Sequence, residues 1–292
     1  MTTGQDARLF DLGYQTYDGP RERPARAIVT LAVFTMRRVL GLGRGGRHKV
    51  LPAITLAVAY LPALISVGVA VIVDGLVPDD LISYGNYMFI IGSALALFAA
   101  LVAPEALCPD RRSGMLGLYL AGPLDRNRYL VAKGAAVLAV MLLITLGPLV
   151  FMLLAYTVAG YGPSAGETPE LLLDILAAGS VTALLYASLS LAVSSLTTRR
   201  AAAAVGAVLL LFVPVSVVRS AIDSASAPDE LDLLSFPFVA QDLAYRIFGE
   251  TPEDADPVTR LSTELVVGGL GAAILAGALL TWLRYRRIEG FR

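Results

Sequence analysis

Six apolar runs dominate this sequence, and each is long enough, or nearly so, to cross a bilayer. They are 50–73, 84–103, 134–160, 171–193, 201–218 and 265–283. A hydrocarbon core about 30 Å thick takes roughly 20 such residues as a helix. A helix is also the form in which one segment satisfies its own backbone groups in lipid. Composition agrees: 56% of the 292 residues are hydrophobic and only 16% are charged, with mean hydropathy +0.69. A soluble domain carries about 25% charged residues. The expected fold class is therefore all-α integral membrane, with six transmembrane helices. The first 26 residues are polar with no early apolar core, so no signal peptide is expected.

Lysine and arginine give the direction. Residues 1–49 carry nine of them, 104–133 five, 194–200 two and 284–292 four. That leaves Arg219, Arg246 and Arg260 for the opposite side. The positive-inside rule then places both termini in the cytoplasm of a multi-pass cell-membrane protein. The segments predicted outside are acidic, above all 219–264, which holds ten Asp or Glu. Three regions follow. Residues 1–49 form a cytoplasmic segment, 50–283 the six-span domain, and 284–292 a cytoplasmic tail.

The run "GLGRGGRHK" at 41–49 matches G-x-G-x-x-G through Gly41, Gly43 and Gly46, and nearly completes a P-loop. Such glycines bind phosphate only between a strand and the helix it opens. Here the preceding residues, 24–40, show no strand pattern. They begin at Pro24, have an apolar middle and end on Arg37 and Arg38. That is too short to span and predicts an interfacial helix on the cytoplasmic leaflet. The glycines then serve as a hinge into the bilayer, and no nucleotide is expected there.

Catalytic and metal chemistry find little to work with. His48 is the single histidine and Cys108 the single cysteine. An intrachain disulfide, a His-rich metal site and Ser/His or Cys/His pairs are thereby excluded. No catalytic, cofactor or metal residue is expected in the chain. Asp174 is the one ionisable residue inside a predicted span, near its outer end. It reads as a water-facing cap, or as the lining of an outer vestibule. Pro52, Pro62, Pro148 and Pro214 interrupt three spans, and small residues such as Gly179, Ser180, Gly268 and Gly277 crowd the last three. Both features suit moving helices and equally suit any packed bundle.

The segment between the second and third spans is longer than a connector needs. It reads "APEALCPDRRSGMLGLYLAGPLDRNRYLVAKGAA", residues 103–136. As an amphipathic element it would turn Glu105, Asp110, Arg111 and Arg112 to water or a partner. Leu116, Leu118, Tyr119 and Leu120 would form its apolar side, and Gly122-Pro123 would end it.

These residues resemble the type-2 ABC exporter permeases. That family carries an acidic residue, an Arg-x-Gly/Ser-Gly stretch, Leu-rich residues, P-x-x-R, and a Lys entering the next span. In the family the loop is a coupling helix seated on the ATP-binding subunit. The resemblance puts an ATPase-coupling interface on Glu105, Asp110, Arg111, Arg112, Gly114, Pro123, Arg126 and Lys133. Residues 233–249, "LLSFPFVAQDLAYRIFG", resemble the short outer helices of such permeases. The leader "LGYQTYDGPRERP", 12–24, is similar to that of actinobacterial members.

No Walker A, signature or Walker B sequence is present, so the resemblance implies that ATP and Mg sit on a separate subunit. It also implies two ATP-binding subunits and a second permease, as homodimer or heterodimer, with no nucleic acid. The function implied is ATP-driven export of an apolar or amphiphilic cargo such as a drug, lipid or lipopeptide. The alternative is a non-transporting component that acts mechanically on an envelope partner. A third reading, an intramembrane enzyme, lacks catalytic pairs.

Overall fold

A computed structural model describes residues 24–43, 45–72, 83–120, 124–225, 227–251 and 258–287. The leader at 12–23 and Pro123 lie outside the described residues. The described residues form ten α-helices: α1 (Pro24–Val39), α2 (Arg47–Ile72), α3 (Tyr84–Leu101), α4 (Cys108–Arg112), α5 (Met115–Leu120), α6 (Arg126–Ala159), α7 (Thr168–Leu196), α8 (Arg200–Ala225), α9 (Phe236–Phe248) and α10 (Thr263–Arg286). Among the described residues there is no strand.

Among the described residues, six helical stretches are long and apolar enough to cross a membrane: His48–Ile72, Tyr84–Arg112, Arg126–Ala159, Thr168–Leu196, Arg200–Ile222 and Thr263–Arg286. They coincide with the six predicted spans, and the protein is an all-α multi-pass membrane protein. Their ends follow local chemistry. Ser83 and Ser262 accept from the amides of Asn86 and Leu265 as N-caps of α3 and α10. Asp125 does the same for α6 through Arg128 N–H. Gly160 ends α6 in the left-handed region at φ +83°.

The centre of the bundle is α3, α6 and α7, whose inner faces bury Tyr87, Ile91, Phe98, Met141, Ile144 and Tyr186. α2, α8 and α10 pack around them and keep broad apolar faces exposed. Lipid tails are as apolar as leucine, so helix association here rests on close packing and interhelical hydrogen bonds. Both are present. Ser66 and Tyr156 hydroxyls bond at 2.7 Å, Tyr60 donates to the Leu143 carbonyl at 2.9 Å, and Ser190 donates to the Ala99 carbonyl at 2.8 Å. A Cβ on Gly277 would lie 3.0 Å from the Ser188 backbone, so α10 approaches α7 closely there.

α1 lies alongside α6. Leu31, Thr35 and Val39 are buried against the bundle, whereas Val29, Val33 and Phe34 are exposed. An amphipathic helix with an uncovered apolar face suits the membrane interface. The glycine run closes this helix. Gly41 N–H donates to the Arg38 carbonyl and Leu42 N–H to the Arg37 carbonyl, with Gly41 at φ +70°. This is a Schellman cap, so these amides are spent on α1 and are not aimed at a phosphate. A Cβ on Gly41 would meet the His48 carbonyl oxygen at 2.4 Å. The turn into α2 therefore needs glycine twice over, for conformation and for space.

Candidate functional site: the arginine-rich end

The 103–120 segment folds as a 3-10 turn at Ala103–Glu105, then α4, then α5. Gly114, at φ +73°, breaks the chain between the two short helices. The rest of the expected loop is not loop: α6 starts at Arg126, so Lys133 stands two turns inside it.

Asp110 is 1% exposed and takes three donors. Arg38 of α1 donates at 2.8 Å, Tyr129 of α6 donates at 3.0 Å, and the Lys133 ammonium lies 2.6 Å away as an ion pair. Lys133 is 0% exposed and also faces the rings of Tyr129 and Tyr119 at 5.5 and 5.9 Å. One carboxylate thus ties α1, α4 and α6 together. A satellite core of Leu31, Leu107, Leu116, Leu124, Tyr129 and Tyr285 surrounds it. Burial pushes the Tyr119 phenol above its ordinary pKa, and the Asp110 charge adds to that. It stays a neutral hydroxyl at physiological pH.

Neighbouring groups fasten the segment to other helices. Glu105, 6% exposed, pairs with Arg200 at the start of α8. Arg111 donates to the Ser195 carbonyl, and at 3.4 Å to the Thr197 carbonyl. A guanidinium on the last carbonyls of α7 also meets the negative end of that helix dipole.

This corrects the sequence expectation for two residues. Glu105 and Asp110 do not face water or a partner; both are buried. The reason is that Lys133 and Arg38 lie on helix faces that pack inward, and a buried cation needs an anion beside it. Arg112 is exposed as expected, and with it Met115 and Leu118, the latter 67% exposed. Leu118 therefore leaves the apolar side to which the sequence assigned it, while Leu116 is buried as expected. Arg126 joins a different group: it donates to the Arg286 carbonyl at 3.0 Å, capping α10. Asp174 is half-buried on α7, far along the chain from these residues, and makes no ion pair among the described residues.

Sequence reasoning missed Arg38, Tyr129 and Arg200 as partners. A signal existed for Lys133. It follows Tyr129 by four residues and precedes Val137 by four, so all three share a helix face. All three are fully buried.

At the opposite, acidic end, α9 docks on the start of α3. Gln241 donates to the Gly85 carbonyl at 2.7 Å, and Gly85 N–H donates to the Glu250 carboxylate at 2.8 Å. Asp242 accepts from Arg246 at 2.9 Å and Thr259 at 2.8 Å.

The family model described as an ABC-2 family transporter protein matches residues 14–280. The chain belongs to the ABC-2 transporter family. No curated protein matches the sequence. The match covers α1, the 103–120 segment, five spans and most of the sixth, which makes the chain the membrane component of an ABC transporter. Permeases of this ABC-2 family pair with an ATP-binding subunit and are typically non-catalytic.

Proposed function

We propose that this chain is the permease subunit of an ATP-driven exporter in the cell membrane, with its arginine-rich end in the cytoplasm. Two ATP-binding subunits would carry ATP and Mg, and a second permease would complete the pathway. The observation that carries the reading is the buried Asp110 cluster. It joins the exposed Arg112, Met115 and Leu118 surface to α1 and α6 through Arg38 and Lys133. A push on that surface by a soluble subunit would be passed to the long α6 span through ion pairs, which do not yield gradually. The bound nucleotide belongs on the partner, a placement supported by the Gly41 and Leu42 amides being engaged in capping α1.

Pairing with a second permease is supported by α2 and α8, whose apolar windows are only 28% and 22% buried in a single chain. Prolines Pro52, Pro62 and Pro214 lie within those two helices and permit kinking. Cargo of apolar or amphiphilic character fits faces of Leu, Val, Ala and Phe.

The test is reconstitution of the chain with its ATP-binding subunit in vesicles. ATP-dependent loss of an apolar fluorescent cargo from the membrane, with cargo-stimulated hydrolysis, is expected. Hydrolysis that no cargo stimulates and that moves nothing would favour the mechanical role on an envelope partner.

A further inference from the structure

At the arginine-rich end, α6, α7 and α10 leave a cleft open to the lipid side. Its volume is about 370 Å³, and Leu130, Gly134, Leu184, Leu191 and Ile274 line it. Leu130, Gly134 and Leu138 fall on one stripe of α6, and Ile274, Ala278 and Trp282 on one stripe of α10. The walls are apolar for the depth of about two helical turns. The mouth is different. There Asn127, Leu130 and Trp282 are shared with a second cavity of about 500 Å³, whose other walls include Arg126, Arg286 and Asp125.

Charge at this mouth is unbalanced. Asp125 is occupied as the N-cap of α6 and lies 3.6 Å from Arg128. Arg126 and Arg286 make no ion pair among the described residues. The Arg126 guanidinium spends one donor on the Arg286 carbonyl, and the Arg286 guanidinium lies 5.2 Å from the Trp282 ring centre. Trp282 N–H donates to Asn127 at 3.2 Å, which holds the indole across the junction of the apolar and basic parts. An indole at the boundary of tail and headgroup is the usual place for tryptophan in a membrane protein. A basic pocket between transmembrane helices fits an anionic headgroup.

We propose that this cleft binds one anionic phospholipid, with an acyl chain along Gly134 and Ile274 and its phosphate between Arg126 and Arg286. Such a lipid bridges the start of α6 and the end of α10 where direct packing leaves a gap. Neither arginine pairs with Asp110; Tyr285, which lines the mouth, packs on Tyr129 of that cluster at 5.9 Å between ring centres, so the two sites adjoin.

Trp282 is the chain's single tryptophan, and it reports on the site without labelling. The full-length chain in phosphatidylcholine nanodiscs would receive small amounts of phosphatidylglycerol brominated on its acyl chains, or brominated phosphatidylcholine as the control. Expected is quenching of Trp282 by the brominated phosphatidylglycerol at a much lower mole fraction. Each of Arg126→Ala and Arg286→Ala should cut that preference roughly fivefold, while the Arg→Lys versions keep most of it. Gly134→Leu, which fills the cleft, should reduce quenching by both lipids. Soluble glycerol phosphate should not compete. The proposal is overturned by equal quenching from both lipids in the unaltered chain, a measurement that needs no variant. Competition by glycerol phosphate, which would mean a free-anion site, overturns it too. So does a preference unchanged in the Arg126→Ala, Arg286→Ala double variant.

Discussion

The two ends of the bundle are held by different chemistry. At the arginine-rich end, full charges are buried: Asp110, Lys133 and Glu105 lose nearly all contact with solvent and bind partners on α1, α6 and α8. At the acidic end Asp232 and Asp242 are also buried and pair with Arg219 and Arg246, but α9 docks on α3 through groups directed at backbone. Gln241 donates to the Gly85 carbonyl, Glu250 accepts from the Gly85 N–H, and Arg246 reaches the Leu261 carbonyl at 2.7 Å. A buried ion pair is all or nothing, because a lone charge left behind is expensive. A cap or a backbone contact can be lost singly at modest cost.

Breaking the comparison at its strong side should give the largest effect. Asp110→Ala leaves Lys133 buried without an anion, and about 3–5 kcal/mol of stability should go with it. Thermal unfolding of the purified chain, or its yield in membranes, measures this. Asp110→Leu combined with Lys133→Met should recover much of the loss, since the fully buried ammonium is then gone and Arg38, whose side chain is 17% exposed, can turn to water. A stable Asp110→Ala protein would show that the cluster does not hold α4 in place.

At the other end, Gly85→Ala places a Cβ 2.4 Å from a Glu250 carboxylate oxygen and 2.6 Å from the Tyr245 ring. The cost should be smaller, about 1–3 kcal/mol, because two side chains can swing away. Faster hydrogen exchange confined to 236–248, with 103–120 unchanged, is the expected pattern. Exchange that rises equally at both ends would mean that the two ends are not independent.

Which end faces the cytoplasm can be sharpened by accessibility. With Cys108 replaced by Ser, cysteines at Gly45 and Leu196 should react only from the cytoplasm and one at Pro228 only from outside. The reverse pattern would invert the assignment of the two ends.

The smallest expected effects are on the exposed rim. Leu118→Asp should weaken association with the ATP-binding subunit by about tenfold and leave the fold intact. Arg112→Ala should do less, as a solvated charge does. Co-purification at graded salt measures both. Changes at Asp229 or Glu230, beyond α8, should alter neither assembly nor transport per ATP.

The six spans were legible in the sequence because hydropathy over 20 residues is a local property that lipid enforces. The helix at 24–39 and the glycine turn after it were legible for the same kind of reason: Arg37, Arg38 and Gly41 lie close together in the chain. The direction of Glu105 and Asp110 was not. Their partners Arg200 and Arg38 are far off in sequence, Arg38 by 72 residues. A local amphipathic reading sends every charge outward by default. Only Lys133, on the same buried stripe as Tyr129, hinted that an anion had to turn inward. Leu118 was read with Leu116 as part of one apolar side, although the six-residue α5 buries only Leu116.

The central claim is that the exposed face of 112–118 receives the ATP-binding subunit. The most direct measurement places a cysteine at Leu118, and separately at Glu230, in the Cys108→Ser background of the assembled transporter. A short thiol-to-amine cross-linker is then applied in native membranes. The expected result is a permease–ATPase adduct from position 118 and none from position 230. An adduct from 230, or none from 118 while the two subunits still co-purify, would contradict the assignment.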